Sequence, residues 1–430
     1  MTAAGGATIF ALSSGPPPAA IAVVRISGDR ADAAMLALAG RLPAPRRASL
    51  MALRDASGEL LDRALVLRFA GSSSSTGEDL IELHLHGGRS VVAAVIAALR
   101  AQPGLRPALP GEFTRRAFEN GRIDLSEAEG LGDLLMAETE AQRRAALALA
   151  GGALSRMVEG WQRRTLALAA SLEAVIDFAD EGDVQEELPS GWGDEIRGLR
   201  AEIGAVLEQP SVERLRDGVR VSIAGPPNTG KSSLLNALAG RDAAITSAIA
   251  GTTRDLVEAP VAVGGTPFLL TDTAGLRDSD DAVEGIGVAR ARASIATADI
   301  ILWLGDPDEA PDKARTIIIQ PKADVAAERH RGADLAISSL SGEGMSSLRT
   351  LLLDRARPLL SVEADVATNE RHRALLAKVT EALDEALDAA DPLIAAEGLR
   401  RARDSLDGVT GRAGVEDMLD SLFANFCIGK

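Results

Sequence analysis

Tyrosine is absent from this 430-residue chain, and cysteine occurs once, as Cys427. A lone cysteine excludes an internal disulfide and any zinc site built from several thiolates. Aromatic residues make up only 3 %, too few for a surface on which successive bases stack. Histidine is scarce, four in all. His84 and His86 share one strand face and form a candidate metal pair, but the pattern offers no third ligand. Positive charge is short as well. Against 62 Asp and Glu stand 46 Lys and Arg, a formal net charge of −16. That argues against a broad phosphate-binding surface and restricts any nucleic-acid contact to a local patch or a basic partner. No apolar run is long enough to span a membrane; the best, Ile300 to Leu304, reads as a core strand. No basic flank precedes an apolar stretch at the N-terminus, so no secretory signal is expected. A soluble cytoplasmic protein without membrane contact is the expectation.

What is present is 46 % apolar residues, enough for sizeable cores in two or three domains at this length. One stretch carries chemistry at once. Gly225-Pro-Pro-Asn-Thr-Gly-Lys231-Ser232 fits the phosphate-binding loop GxxxxGK[ST]. Before it, Val219 to Ala224 alternates like a strand, and Ser233 to Leu238 begins a helix. Glycines let successive N–H groups turn toward phosphates, Lys231 reaches the outer phosphates, and the Ser232 hydroxyl is placed for Mg²⁺. Four further elements follow in order. Gly251-Thr-Thr-Arg-Asp255 stands where a first switch threonine belongs. Asp272-Thr-Ala-Gly275 ends the apolar run from Phe268, with Asp272 supporting Mg²⁺ and the Gly275 N–H sensing a γ-phosphate. Pro321-Lys-Ala-Asp324 follows the strand-like Thr316 to Ile319 at the base-reading position, where Asp324 accepts from guanine N1 and its exocyclic amine. Ser338 and Ser339 follow Asp334 to Ile337 as the last base-contact loop. The set predicts a GTPase domain. Its expected nucleotide contacts are Asn228, Thr229, Gly230, Lys231, Ser232 and Ser233; Ser247, Ala248, Ile249, Ala250, Gly251, Thr252 and Thr253; Asp272, Thr273, Ala274 and Gly275; Lys322 and Asp324; Ser338, Ser339 and Leu340.

The rest of the chain divides by pattern. Up to residue 118, strand-like runs (Ala20 to Ile26, Ala64 to Phe69, Asp79 to Leu85) alternate with helical ones such as Ser90 to Leu99, which predicts an α+β domain. Residues 119–217 are helical in period, interrupted near Asp177 to Asp183 and at Pro189 to Gly191. The GTPase segment spans 218–360, and 361–430 returns to helix, with Leu375, Leu376, Val379, Leu383 and Leu387 on one stripe. Two amphipathic flanks each need an apolar partner, and each other is the nearest candidate. The expected architecture is multidomain, α+β and α/β: an N-terminal α+β domain, a discontinuous helical domain, and a Ras-like α/β domain inserted into it.

Val24-Arg25-Ile-Ser-Gly28, Thr76-Gly-Glu-Asp79, His86-Gly-Gly88, Pro110-Gly-Glu-Phe113 and the terminal Phe426-Cys-Ile-Gly-Lys430 complete a resemblance that covers essentially the whole chain. The sequence resembles the MnmE (TrmE) family of tRNA-modification GTPases, within the TrmE-Era-like superfamily. The resemblance implies a cytoplasmic homodimer that hydrolyses GTP. With an FAD-containing partner, MnmG, it would form a heterotetramer and add a carboxymethylaminomethyl or aminomethyl group to C5 of the wobble uridine of certain tRNAs. The one-carbon unit would come from a 5-formyl- or methylene-tetrahydrofolate held by the N-terminal domain, which also dimerises. Arg25, Glu82, Arg122 and Lys430 fall at the family's folate positions. Arg and Lys suit the carboxylates of a folate tail, and a carboxylate suits the amidine-like edge of a pterin. Cys427, beside the terminal lysine, is either an activated thiol or a small packed residue.

The resemblance also implies how hydrolysis proceeds. Many signalling GTPases place a Gln after DxxG to orient the attacking water; here the residue is Leu276, and Glu284 occupies the family's catalytic position. The family uses K⁺ in place of an arginine finger, which places Asn228, Ser247, Ile249 and Thr252 around K⁺ and Ser232 with Thr253 around Mg²⁺. Two departures carry expectations of their own. Pro321 replaces the base-reading Asn, so a brace to the phosphate loop should be missing. Only Gly305 to Arg315 separates two strands that should be parallel, so the usual crossover helix should shrink to a turn. Two other readings stay open on sequence: a ribosome-assembly GTPase, which usually adds a basic GxxG RNA module where this tail is helical and acidic, and a folate-binding scaffold whose nucleotide domain barely turns over.

Overall fold

The computed structural model describes residues 6–177, 190–209, 211–242, 257–272, 292–325, 331–360, 368–412, 416–424, 426 and 428–429. They form two compact units, residues 1–132 with 407–430, and residues 133–406.

In the first unit β1 (Thr8–Leu12), β2 (Ile21–Ser27), β3 (Ser49–Arg54), β4 (Leu60–Phe69), β5 (Leu80–His86) and β6 (Leu105–Pro107) make one sheet in the order β3-β4-β5-β2-β1-β6. Neighbours are antiparallel except β1 and β6. Strand alternation sorts the side chains. Ala22, Val24 and Ile26 of β2 and Ile81, Leu83 and Leu85 of β5 are buried in one core with Met35 and Leu38 of α1 (Ala31–Ala39) and Val95 and Leu99 of α2 (Arg89–Arg100). Arg25 and Glu82, a register pair, therefore stand on the opposite face. Helices α3 (Glu112–Glu119) and α4 (Leu125–Met136) follow. Leu125 and Ala128 share a smaller core with Leu419, Phe423 and Phe426, so the chain's last residues return to the unit that holds its first.

The second unit opens with α5 (Glu140–Ala150), whose N-terminus is closed by a reciprocal capping box of Thr139 and Gln142. Helix α6 (Ala153–Asp177) buries Leu154, Val158, Trp161, Thr165, Leu168 and Leu172, alternating four- and three-residue steps that keep one stripe inward. Helix α7 (Trp192–Glu208) buries Ile196, Leu199, Ile203 and Val206. It packs on the helix Glu370–Asp388, which buries Leu376, Val379, Leu383 and Ala386. An Arg200–Asp384 ion pair joins the two, and Arg373 Nη1 donates to the Gln209 carbonyl at 2.7 Å. The helical stretches on either side of the nucleotide-binding segment thus cover each other's apolar stripes.

That segment follows α8 (Glu213–Asp217). Its strands β7 (Val219–Ala224), β8 (Val257–Val263), β9 (Thr266–Asp272), β10 (Ile300–Trp303), β11 (Thr316–Gln320) and β12 (Leu335–Ala336) run in the order β12-β11-β10-β7-β9-β8. All are parallel except β8. Val221, Ile223, Leu302, Ile317 and Ile319 form its core with Leu234 and Leu238 of α9 (Lys231–Asp242) and Leu348 and Leu352 of the helix Met345–Leu360. Between the parallel β10 and β11 lies a single 3-10 turn, Pro307–Glu309, as the short connection predicts. The central β7 ends at the phosphate-binding loop, between β10 and β9, where open α/β sheets bind ligands.

Candidate functional site

The loop from Gly225 to Gly230 carries its fold in its dihedral angles. Gly225, Asn228 and Gly230 all have positive φ, at 141°, 64° and 98°. A side chain on Gly225 would place its Cβ 2.8 Å from the Leu304 carbonyl oxygen, so only glycine fits there. Thr229 Oγ1 donates to the Pro226 carbonyl at 2.9 Å and tightens the turn. The Lys231 ammonium arches over the loop and donates to the carbonyls of Gly225 (3.0 Å) and Pro226 (2.7 Å), which holds a buried positive charge at the mouth of the helix N-terminus. Ser232 Oγ donates to Asp272 Oδ2 at 2.6 Å. A hydroxyl and a carboxylate at one point are hard oxygen donors, which suits Mg²⁺. Held there by Ser232 and Asp272, such an ion would supply positive charge against bound phosphates.

The loop 321–324, expected to read the base, meets the phosphate loop directly. Lys322 has φ 58° and its Nζ donates to the Asn228 carbonyl at 3.3 Å. The expected missing brace is thus replaced from the neighbouring position: Pro321 cannot hold the phosphate loop with its side chain, and Lys322 does. Asp324 is exposed, on a turn fixed by Ala323 N–H donating to the Ile337 carbonyl at 2.9 Å. Ser338 is buried and its Oγ accepts from Ser341 N–H at 3.1 Å, while Ser339 is half-buried and Leu340 exposed. Ser247, Ala248, Ile249, Ala250, Gly251, Thr252, Thr253, Thr273, Ala274, Gly275 and Glu284 lie outside the described residues, as do Cys427 and Lys430.

On the sheet of the first unit, Arg25 Nε donates to Glu82 Oε1 at 2.9 Å. His84 Nε2 stands 3.5 Å from the other oxygen, Oε2. Glu82 therefore pairs with a cation and keeps lone pairs for a further donor. Arg122 is exposed beyond the end of α3 and packs on Gly77, whose Cβ, if present, would be 3.3 Å from Arg122 Cγ. His86 Nδ1 is 2.7 Å from Asp62 Oδ1. Both candidate metal histidines thus face carboxylates, and among the described residues no group of three or more His, Cys, Asp or Glu can hold a metal. No described helix is long and apolar enough to cross a membrane.

Comparison with known proteins decides the family. The family described as "MnmE helical domain" matches residues 125–427, and "GTP-binding protein TrmE N-terminus" matches residues 8–122. The chain belongs to the MnmE family of tRNA-modification GTPases. Its relatives include proteins called tRNA modification GTPase MnmE from Rhizorhabdus wittichii (60 % identical, covering 98 % of this chain and 96 % of the relative) and Erythrobacter litoralis (56 %, covering 98 % and 100 %). One from Zymomonas mobilis is 50 % identical over 98 % of this chain and 100 % of its own.

Two features of this MnmE-family chain went unread in its sequence. The Thr76-Gly-Glu-Asp79 and Pro110-Gly-Glu-Phe113 motifs gave no roles to their acids, yet Glu78 and Glu112 both bind the buried Arg116. Burial acts to raise the Glu112 carboxyl, but the hydrogen bonds from Arg106 and the Leu109 N–H and the charges of Arg106 and Arg116 outweigh it, and its pKa lies below the usual value. Gln142, inside the capping box of α5, also donates to the carbonyls of Leu215 (3.0 Å) and Arg216 (3.2 Å) at the end of α8. Of the first, only the i,i+4 spacing of Glu112 and Arg116 was open to sequence reading; the link to Glu78, 38 residues away, was not.

Proposed function

We propose that this chain is a potassium-dependent GTP hydrolase. With an FAD-containing partner of the MnmG kind, it adds a carboxymethylaminomethyl or aminomethyl group to C5 of the wobble uridine of certain tRNAs. In this reading it works as a cytoplasmic homodimer, with 1–118 binding tetrahydrofolate, 119–217 and 361–430 forming the helical domain, and 218–360 the nucleotide domain. The observation that carries the reading is the Ser232–Asp272 contact beneath the Lys231 loop, in a chain whose relatives are called tRNA modification GTPases. Asn228, with its left-handed backbone at the loop's tip, would offer its side-chain oxygen to K⁺, and Ser247, Ile249 and Thr252 would complete the set. A cation there supplies positive charge where negative charge grows between the β and γ phosphates. Glu284 would orient the attacking water, since Leu276 cannot.

The folate side is supported by three placements. Arg25 and Glu82 sit opposite each other on the sheet face turned away from α1 and α2. Gly429 packs on Leu12 and Ser13, adjoining Ala11, the β1 partner of Arg25. Ile428 bridges to Pro110. The tail thus runs beside the strand that neighbours Arg25, and Lys430 would follow it there. The test is GTP turnover by the purified protein in KCl and in NaCl at matched ionic strength. We expect K⁺ to accelerate turnover and Na⁺, smaller and more tightly hydrated, to leave it slow. An arginine finger is worth about 10³–10⁵ in rate, and the ion should supply a sizeable part of such a factor. Asn228→Ala should abolish the difference. Equal rates in the two salts would refute the mechanism.

A further inference from the structure

A chain of charge, buried at Arg116 and Glu112 and half-buried at Arg106 and Glu78, runs through the first unit. Arg106 Nη1 donates to Glu112 Oε2 at 2.8 Å, and Arg116 Nη2 donates to Glu112 Oε1 at 3.1 Å. Arg116 Nη1 then donates to both oxygens of Glu78, at 2.9 and 3.3 Å. Glu78 Oε2 accepts from Ser27 Oγ at 2.8 Å, which leaves Thr76 Oγ1 to donate to Ser27 at 2.7 Å. Arg116 Nη2 also reaches the Ala7 carbonyl at 2.8 Å. Arg116, Glu112, Ser27 and Thr76 are all nearly or fully buried.

Two positive and two negative side chains alternate, so the chain is neutral. A neutral, partly buried network of this kind adds little stability over an apolar replacement; what it adds is register, because each fork fits one arrangement of its partners. The partners here are telling. Ser27 stands at the end of β2, two residues past Arg25. Glu78 lies on the approach to β5, which carries Glu82. Arg116 is in the last turn of α3, which leads to Arg122. Asn120 of the same stretch donates through Nδ2 to the Thr76 carbonyl at 2.8 Å, and its Cβ fills the space beside Gly77.

We propose that Arg116 is a positioning residue of the folate pocket: through Glu78 and Ser27 it locks the 76–79 loop and α3 to β2, and so sets the spacing of Arg25, Glu82 and Arg122. The proposal rests on the folate reading of those three residues. Arg116 itself touches no ligand in this account. A lysine in its place keeps the charge but offers a single ammonium, which cannot hold Glu78, Glu112 and Ala7 in one plane.

The test uses the full-length protein and 5-formyl-tetrahydrofolate, with binding measured by calorimetry and GDP affinity and thermal unfolding followed alongside. Arg116→Lys and Glu78→Gln are expected to weaken folate binding about tenfold, the equivalent of about one charged hydrogen bond, with GDP affinity unchanged. Thr76→Val, which removes one link without altering charge, should give a smaller loss in the same direction. In the tRNA-modification reaction the KM for methylene-tetrahydrofolate should rise while kcat holds. Folded variants that bind folate like the parent overturn the proposal, as does a loss that only tracks the unfolded fraction. A parent that binds no folate brings down the pocket reading itself and the proposal with it.

Discussion

Asp324 and Lys322 stand on one turn, and the proposed reading gives them separate tasks. Asp324 is exposed at the rim, where its two oxygens can accept from a base edge that carries two donors. Lys322, in a left-handed backbone, ties that rim to the phosphate loop through the Asn228 carbonyl. Replacing the acceptor by a donor inverts the base preference. Asp324→Asn should therefore lower GDP affinity at least about a hundredfold, since two hydrogen bonds to a charged group are lost, and should favour xanthosine diphosphate. Titrations with both nucleotides check this, and retained GDP preference would remove Asp324 from base recognition. Lys322→Met, which only unties the brace, should weaken GDP and xanthosine diphosphate by similar small factors.

At the scale of elements, the parallel strands of the nucleotide-binding segment were legible, whereas the antiparallel β8, Val257–Val263, was not read. Val219 to Ala224 showed itself by alternation, with Arg220 exposed, and Thr316 to Ile319 as a short β-branched run buried in a parallel sheet. Leu60 to Arg63, the first part of β4, was not legible, because Asp62 there serves His86 rather than the core. Nor were β1, β3 or β6, short strands whose pairing depends on distant partners. The helix Glu370–Asp388 showed its stripe, but that its partner is α7 required the structure. At the candidate site the phosphate loop could be read from spacing; the Arg116 network could not, because its members come from four separate stretches. That network gives α3 a pH dependence. The Glu112 carboxyl is held below its ordinary 4.5 in the folded chain, so its contribution is complete above that value and is lost as pH falls through the lowered folded pKa. Hydrogen exchange of the α3 amides should speed up as pH drops below about 4.5 after correction for intrinsic rates. Glu112→Gln should give, already at neutral pH, a loss of about 1–3 kcal/mol and a flatter acid limb. An unchanged acid limb in the variant would assign that loss to other carboxylates.

At the scale of the whole molecule, the chain's two ends belong to one unit and its nucleotide-binding segment to the other. Chain ends normally fray unless something ties them down, and here several contacts do. Phe423 and Phe426 pack with ring centres 5.8 Å apart and planes tilted by 51° within the cluster around Leu125. Ile428 is itself exposed, so its bridge to Pro110 is made by backbone and not by apolar burial. Gly429 approaches so closely that a Cβ would stand 2.3 Å from the Leu12 carbonyl oxygen, at φ 92°, a position that admits no other residue. Phe426 helps to hold the unit together, whereas Ile428 and Gly429 carry the tail on to the strand next to Arg25, and the expectation is that this last part serves the proposed folate pocket. Removing the last four residues, which spares Phe426 in its core cluster, should therefore abolish folate-dependent tRNA modification while GDP affinity and potassium-stimulated turnover stay at the parent's level. Gly429→Ala should reproduce the defect in milder form, because a methyl group forces the strap off Leu12 without deleting Cys427 or Lys430. If the truncated protein binds 5-formyl-tetrahydrofolate as the parent does and still modifies tRNA, the tail has no part in the pocket, and its tight seat on β1 is packing alone.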